Sequence, residues 1–297
     1  MDYFISRYIS ACDLLPARLR ARAMEADVSL MASAEELRLR VGKPLSASVF
    51  SEENIFENTS VTAEDILETL TRAARGSLHS FADELSSGFI TSSDGHRVGV
   101  CGRASMSGDK CITLREFSSL NLRIAKEVRG TATGIVDEIC DGHIRSTLIL
   151  SPPGGGKTTL LRDLIRIVSD QGFKVSVADE RGEIAACSGG TPGFDMGRCT
   201  DVLTGAPKAW AALTMLRSMN PQVIALDEIT DPADLDAILR AGGCGAAVFA
   251  TMHADSLETA AARPGMETIL PAFEKIVTIE RITGERRVNV SDMPGKL

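Results

Sequence analysis

The sequence has 297 residues, of which 44% are hydrophobic and 24% are charged, and its formal net charge is −8. This length and composition are typical of a globular protein with one large or two modest domains. The acidic balance argues against a nucleic-acid partner, since dedicated nucleic-acid binders are usually basic. No apolar run approaches the roughly 18 residues of a membrane-spanning helix.

The cysteines and the N-terminus bear on the cellular compartment. Seven cysteines occur without a C-x-x-C pair, which favours free thiols in a reducing compartment over a disulfide framework or a zinc site. Asp2, Arg7 and Asp13 interrupt the apolar N-terminal residues, so this segment is a poor signal peptide. We therefore expect a cytoplasmic protein that contacts a membrane only through partner proteins.

Residues 1–130 are predicted to form a small α+β domain. The alternation in EELRLRV (35–41) indicates a half-exposed strand, and Thr62 is suited to cap a helix. Asp94-Gly95 predicts a hairpin turn. The predicted elements are helical residues between Ile9 and Met24, a strand at 35–41, a helix at 61–74, strands at 88–91 and 97–100, and a helix at 130–142.

Residues 131–297 are predicted to form a second domain in which strands and helices alternate. Such alternation is typical of a mostly parallel sheet with helices on both faces. A closing hairpin is expected at 275–282 and 286–290, around Thr283-Gly284-Glu285. The other predicted strands are 147–150, 174–179, 222–227 and 246–252, and the predicted helices are 157–170, 207–218 and 231–241.

The segment SPPGGGKTT (151–159) lies between a predicted buried strand and a predicted helix. It matches the phosphate-binding loop G-x-x-x-x-G-K-[ST] except at the first position, where Ser151 replaces glycine. We interpret Ser151 as a tolerated departure at the strand end. Lys157 is predicted to bind the β- and γ-phosphates, and the Thr158 hydroxyl to ligate Mg²⁺. The predicted nucleotide-binding residues are Pro153, Gly154, Gly155, Gly156, Lys157, Thr158 and Thr159.

Three further predicted strands end in polar residues that suit an ATPase. Asp227 can hold Mg²⁺ through its water shell, and Glu228 can orient or activate the attacking water. Glu180 follows a second apolar strand, and the carboxyl ends of parallel strands share one edge of a sheet. His253, at the end of a third strand, can bind the γ-phosphate or sense its loss. The alternatives are solvated strand ends and a structural histidine.

The first domain contains a basic segment. Residues 97–129 hold seven basic and three acidic residues, a net charge of +4 within an acidic protein. This segment either forms a solvated face or supplies arginines that contact nucleotide phosphates in the same or a neighbouring subunit.

The order of these elements resembles the secretion ATPase superfamily, the hexameric motors of type II and type IV secretion and of type IV pili. That family has a phosphate loop, an acidic Asp box, a Walker B strand and a His box, which resemble 151–158, 178–183, 223–228 and 251–255. Several longer stretches resemble the sporulation member of the family. These are HRVGVCGR (96–103), SSLNLRIA (118–125), ADERGEIA (178–185), TDVLTGAPKAWA (200–211), MNPQVIALDEI (219–229) and ATMHADS (250–256).

The resemblance implies a RecA-like P-loop ATPase domain after a smaller N-terminal domain, and a homo-oligomer, expected to be a hexamer, that hydrolyses ATP with Mg²⁺. It implies metal binding by Thr158 and Asp227, and Glu180 or Glu228 as the main base. It also implies a place beside a channel complex in the mother-cell membrane, with membrane proteins of that complex as partners. The implied catalytic set is Glu228, Glu180, His253, Arg97, Arg103, Arg115 and Arg123.

Other functions share some of these features. An ABC-type transport ATPase also has a phosphate loop and an Asp-Glu strand end, and Ser188-Gly189-Gly190 echoes its signature. However, a Thr-Pro-Gly turn follows this triplet, and Gly190 lies 37 residues before Asp227, whereas the signature should open a helix close before that strand. A GTPase would need an N-K-x-D motif, which is absent, and a DNA translocase would be more basic. An ATP-binding assembly scaffold or switch with little turnover stays open.

Overall fold

The computed structural model describes residues 2–50, 52–74, 85–86, 88–230, 232–282 and 285–294. The chain divides into two compact units. Unit 1 comprises 1–126 and 186–194, and unit 2 comprises 127–185 and 195–297. The predicted boundary at 130/131 lies four residues after this division. The return of 186–194 to unit 1 was not predicted, since this segment looks like an ordinary loop of the second domain.

Unit 1 contains a six-stranded antiparallel sheet in the order β3-β2-β1-β6-β5-β4. Leu37, Leu39 and Leu122 alternate with polar residues and are fully buried, which places the unit's core on one face of this sheet. The strands are β1 (Glu36–Arg40), β2 (Pro44–Val49), β3 (Glu52–Ser60), β4 (Phe89–Thr91), β5 (Arg97–Ser107) and β6 (Lys110–Arg123). The helices are α1 (Tyr3–Cys12), α2 (Ala17–Ala23), α3 (Val28–Ser33) and α4 (Ala63–Ala73).

A buried histidine joins three parts of unit 1. The His96 side chain is fully buried, and its Nδ1 accepts a hydrogen bond from the Ala125 N–H at 3.0 Å. Its Nε2 lies 2.6 Å from the hydroxyl oxygen of Ser10 in α1. Burial and the nearby Arg7 guanidinium lower the pKa of His96 from 6.5 to about 3. The histidine is therefore neutral in the folded chain at neutral and mildly acidic pH.

This burial predicts a pH-dependent stability. Because the unfolded chain binds a proton near pH 6.5 and the folded chain does not, stability is present above pH 6.5 and is lost as the pH falls towards 3. Between pH 7 and 5 the free energy of unfolding should fall by about 2 kcal/mol. Urea unfolding of the wild type, His96→Gln and the exposed-site control His143→Gln measures this loss. Equal pH slopes for the wild type and His96→Gln would refute it.

Unit 2 contains a seven-stranded sheet in the order β13-β12-β7-β11-β10-β8-β9. Its strands pair in parallel, except that β13 is antiparallel to β12. The strands are β7 (Thr147–Ser151), β8 (Val175–Asp179), β9 (Thr200–Thr204), β10 (Val223–Leu226), β11 (Ala247–His253), β12 (Lys275–Ile282) and β13 (Glu285–Asp292). The helices are α5 (Val136–Ile139), α6 (Lys157–Asp170), α7 (Lys208–Ser218), α8 (Pro232–Gly243), α9 (Leu257–Ala261) and α10 (Met266–Ile269), and a 3₁₀ turn spans Leu270–Ala272.

Two expectations for unit 2 were incomplete. Strand β9 was not predicted, because TDVLT has only two apolar residues, which are adjacent and show no alternation. The helix expected over 130–142 is reduced to α5, since Gly130 has φ 83° and the backbone is extended at Cys140. The predicted hairpin turn at Thr283-Gly284 lies outside the described residues. The remaining strands lie within a few residues of their predicted positions, and β7, β8, β10 and β11 all end at one edge of the sheet.

Candidate nucleotide-binding site

The loop between β7 and α6 has the backbone of a phosphate cradle. Gly154 and Gly156 have φ angles of 73° and 91°, in the left-handed region that favours glycine. Gly156 caps α6, so Lys157 and Thr158 lie in the first helical turn. Backbone N–H groups and the positive helix end favour an anion at this position. Pro153 is exposed, and Thr159 is partly buried in the same turn.

Ser151 fits the position where the loop pattern has glycine. It is the buried last residue of β7, and its hydroxyl donates to the Pro152 carbonyl at 3.1 Å. A Cβ atom on Gly155 would lie 1.7 Å from the Ser151 hydroxyl oxygen. The Ser151 hydroxyl therefore occupies the space that a side chain at position 155 would need. Only glycine fits at position 155 beside this serine.

Lys157 is directed into the loop. Its ammonium donates to the carbonyls of Ser151 at 3.0 Å and Pro152 at 3.2 Å, and lies 2.7 Å from His253 Nδ1. Burial lowers the pKa of Lys157 below its ordinary value, while Asp227 and Glu228 act in the opposite direction. The structure thus brings the predicted lysine and the predicted histidine into contact, although 96 residues separate them.

Asp227, just beyond the end of β10, connects two hydroxyl groups. Its Oδ2 accepts from the Thr158 hydroxyl at 2.8 Å, and its Oδ1 accepts from the hydroxyl of Thr251 in β11. Thr251 is fully buried, and its hydroxyl oxygen also accepts from the Glu228 N–H at 2.8 Å. Thr251 therefore fixes both strand-end acids, although sequence analysis did not single it out.

The Thr158 and Asp227 pair fits a magnesium ion. Both residues offer oxygen ligands, which Mg²⁺ prefers, and the ion usually takes only one or two protein ligands beside water and phosphate. Among the described residues there is no group of three or more His, Cys, Asp and Glu side chains arranged to hold a metal. The chemistry of this donor pair therefore matches a magnesium–nucleotide complex better than a dedicated metal cage.

Glu228 lies at the junction of the strand ends. Its backbone has φ 49°, a left-handed conformation that costs a non-glycine residue about 1–3 kcal/mol. Its carboxylate lies 3.5 Å from His253 Nε2 and 3.4 Å from the Arg181 guanidinium. Because Nδ1 of His253 faces the Lys157 ammonium, neutral His253 carries its proton on Nε2, towards Glu228. Lysine, histidine and glutamate thus form a continuous chain of contacts.

A small recess lies between the acidic ends of β8 and β10. Its volume is about 20 Å³, which is sufficient for roughly one water molecule. Glu180 lies at its exposed side and accepts from the Lys208 N–H at 3.4 Å. Glu228 is less exposed and also contacts His253. The lining residues are Ala178, Asp179, Glu180, Arg181, Glu183, Lys208, Asp227 and Glu228.

The loop after Glu180 is fixed from two sides by residues that sequence analysis missed. The buried Asp179 carboxylate accepts three backbone N–H groups, from residues 183, 184 and 185, at 2.8–3.2 Å. Arg162 of α6 donates to the carbonyls of residues 183 and 184, at 2.7 and 2.5 Å. Burial raises the pKa of Asp179, while those three N–H donors oppose the rise. Asp179 and Arg162 therefore fix residues 183–185, which follow Glu180 in the loop.

The four candidate arginines occupy the β5–β6 hairpin of unit 1. The predicted strand at 97–100 continues to Ser107, so the arginines form two directly opposed pairs, Arg97 with Arg123 and Arg103 with Arg115. Like charges at opposed positions repel unless an opposite charge intervenes. The Arg97 guanidinium lies 3.6 Å from the centre of the Phe89 ring, and Arg103 lies 3.3 Å from Glu116. Their roles towards nucleotide stay a prediction.

Removal of the Thr251 hydroxyl should weaken both the fold and the site. Thr251→Val keeps the shape of the side chain but leaves Asp227 and the Glu228 N–H without this partner. We expect the free energy of unfolding to fall by about 1–3 kcal/mol. We also expect any nucleotide turnover at the site to slow. Thr251→Ser retains the hydroxyl and should recover most of both. Urea unfolding and turnover assays measure the effects. A Thr251→Val variant with wild-type stability and turnover would show that the Thr251 hydroxyl does not hold the two acids.

Comparison with known proteins identifies the family. The model of the family "Sporulation stage III, protein AA" matches residues 7–292. The chain belongs to this family. It is 33% identical over 284 residues to stage III sporulation protein AA of Bacillus subtilis, covering 93% of this chain and 92% of that protein. A more distant relative, SEEDLING PLASTID DEVELOPMENT 1 of Arabidopsis thaliana, is 26% identical over 57% of this chain and 25% of its own length.

Two solved structures share the fold of this family member. The pilus retraction motor PilT, solved with bound ADP, has a TM-score of 0.63 at 16% identity, covering 90% of this chain and 80% of its own. The Legionella pneumophila ATPase DotB has a TM-score of 0.57 at 18% identity, covering 88% and 76%. The predicted resemblance and the RecA-like fold class are thus confirmed. Within the described part of the chain, no helix is long and apolar enough to cross a membrane.

Proposed function

We propose that the chain is an ATPase that hydrolyses ATP with Mg²⁺ at the β7–α6 loop. The observation that carries this proposal is the hydrogen bond of 2.8 Å between Thr158 and Asp227. It joins the first turn of α6, directly after the phosphate loop, to the acidic strand end beside Lys157 and Glu228. Phosphate binding, metal binding and water activation thereby meet at one edge of the sheet.

The proposed reaction divides among these residues. The loop N–H groups and Lys157 bind the phosphates, with the ammonium donating to a phosphate oxygen in place of one of its present acceptors. Magnesium, held by Thr158 and Asp227, supplies charge neutralisation at the phosphates when bound. Glu228 accepts a proton from the attacking water, and the water oxygen bonds the γ-phosphorus. The bond between the γ-phosphorus and the bridging oxygen breaks, which releases ADP. Glu228 is favoured over Glu180 as the base because it contacts His253, which contacts Lys157.

The proposal extends to an oligomeric motor. We propose that the chain forms a homo-oligomer, a hexamer, beside a membrane channel complex of the mother cell, as its resemblance to the secretion ATPase motors implies. The paired arginines of unit 1 (Arg97, Arg103, Arg115 and Arg123) are proposed to contact nucleotide in the same or a neighbouring subunit. The proposed location is cytoplasmic, and membrane contact occurs through partners.

Phosphate release from ATP tests the activity itself. The purified chain is assayed with ATP or GTP, each with Mg²⁺ or with EDTA. We expect turnover of ATP that requires Mg²⁺, because the donors at the site are the hard oxygens of Thr158 and Asp227. Turnover that is unaffected by EDTA would contradict the proposed metal site. Binding of ATP without any release of phosphate would favour a scaffold or switch.

A further inference from the structure

Arg286 lies at the phosphate loop, although it is far from it in sequence. It is near the start of β13, and its Nη2 donates to the Gly156 carbonyl at 3.1 Å. A Cβ atom on Gly156 would lie 3.2 Å from the guanidinium carbon. The guanidinium therefore packs against the residue that caps α6, and it can approach this closely because Gly156 has no side chain.

The sheet order shows from which side Arg286 approaches. Strands β12 and β13 lie on one side of β7, while β11, β10 and β8 lie on the other. Since β12 is parallel to β7, its carboxyl end and the start of β13 lie at the same edge as the loop. On the opposite side, β10 leads to Asp227 and Glu228, and β11 ends at His253. Arg286 thus flanks the loop away from the proposed reacting groups.

The charges at this turn favour an anion. The N-terminus of a helix carries a partial positive charge, which disfavours nearby cations and attracts anions. Lys157 already places one cation in the first turn of α6, and Arg286 places a second against its cap. A phosphate group would neutralise both, and the planar guanidinium is suited to hold phosphate oxygens in pairs.

We propose that Arg286 binds phosphate groups of ATP and ADP from the flank opposite the carboxylates. The inference rests on the proposed function, since it concerns the same nucleotide site. Because Arg286 lies away from Glu228 and His253, it should act equally on ATP and ADP. Its loss should therefore raise Kd and KM and leave kcat nearly unchanged. Sequence analysis missed this residue.

The test compares three variants with the wild-type full chain. The Kd for ADP and for a slowly hydrolysed ATP analogue is measured with Mg²⁺, and kcat and KM are measured for ATP. We expect Arg286→Gln to raise each Kd about 10- to 100-fold, with kcat within about twofold. Arg286→Lys, which keeps the charge, should recover part of the affinity. The control is Arg287→Gln, since the next residue of the strand faces the other way and is exposed.

The possible results distinguish failure of the inference about Arg286 from failure of the proposed ATPase function. If the wild type binds nucleotide and Arg286→Gln binds it equally well, the inference fails and the proposed function stands. If the wild type binds no nucleotide, both fail. A fall in kcat with unchanged Kd would show that Arg286 only braces Gly156, which overturns the inference. Circular dichroism checks each fold, and Arg286→Met replaces Arg286→Gln if the latter is unfolded.

Discussion

Lys157→Ala should reduce ATP hydrolysis by at least roughly a hundredfold, as the loss of one charge-stabilising donor does in other enzymes. The ammonium lies in the phosphate loop within 3.2 Å of two loop carbonyls and His253. The variant should also bind ATP more weakly, since the ammonium interacts with the phosphates before and during the reaction. Phosphate release and nucleotide affinity are the measurements.

The matched control for this prediction is Lys174→Ala. Lys174 is exposed and directly precedes β8, at the opposite edge of the parallel sheet. Its replacement should leave turnover unchanged. Wild-type turnover in Lys157→Ala would place the phosphates elsewhere and would remove the basis for assigning the loop.

Glu228→Gln should slow turnover by about 10²–10⁴-fold, the range expected for the loss of a general base. Glutamine retains the size of the side chain and its contact with His253 but cannot accept the proton of the attacking water. Nucleotide should bind as tightly as in the wild type or more tightly, because one negative charge near the phosphates is removed. Single-turnover phosphate release, with Kd measured in parallel, separates the two effects.

The comparison variant is Glu180→Gln, because sequence alone left the choice between the two acids open. Glu180 is exposed and accepts a hydrogen bond from the Lys208 N–H, whereas Glu228 contacts His253. We expect the Glu180 variant to retain most of its turnover. The reverse ranking, with Glu180→Gln slower than Glu228→Gln, would make Glu180 the main base.

The core of the candidate site was predictable because neighbouring parallel strands end at the same edge of a sheet. Apolar runs ending in Asp227-Glu228 and in His253 identify buried strands, and parallel strands end at one edge. The phosphate loop could be placed at that edge because it follows a strand of the same kind. The contacts between Lys157 and His253, and between Thr158 and Asp227, follow from this arrangement.

The supporting residues could not be predicted, because they depend on pairings between distant segments. Thr251 looks like any residue of a buried strand until β11 is known to lie beside β10. Arg286 reaches Gly156 across 130 residues of sequence, through the pairing of β12 with β7. Strand β6 was not predicted, and β5 was predicted too short because its outer half is exposed and lacks the alternation of a half-buried strand.

If this chain hydrolyses ATP at a site completed by assembly, its specific activity must depend on protein concentration. Phosphate release per chain is followed over a wide range of protein concentrations, with Lys157→Ala and Glu228→Gln as controls. We expect wild-type specific activity to rise with concentration to a plateau while both variants stay at background. Wild-type activity that equals the variants' background at every concentration, while ATP is bound, would contradict it.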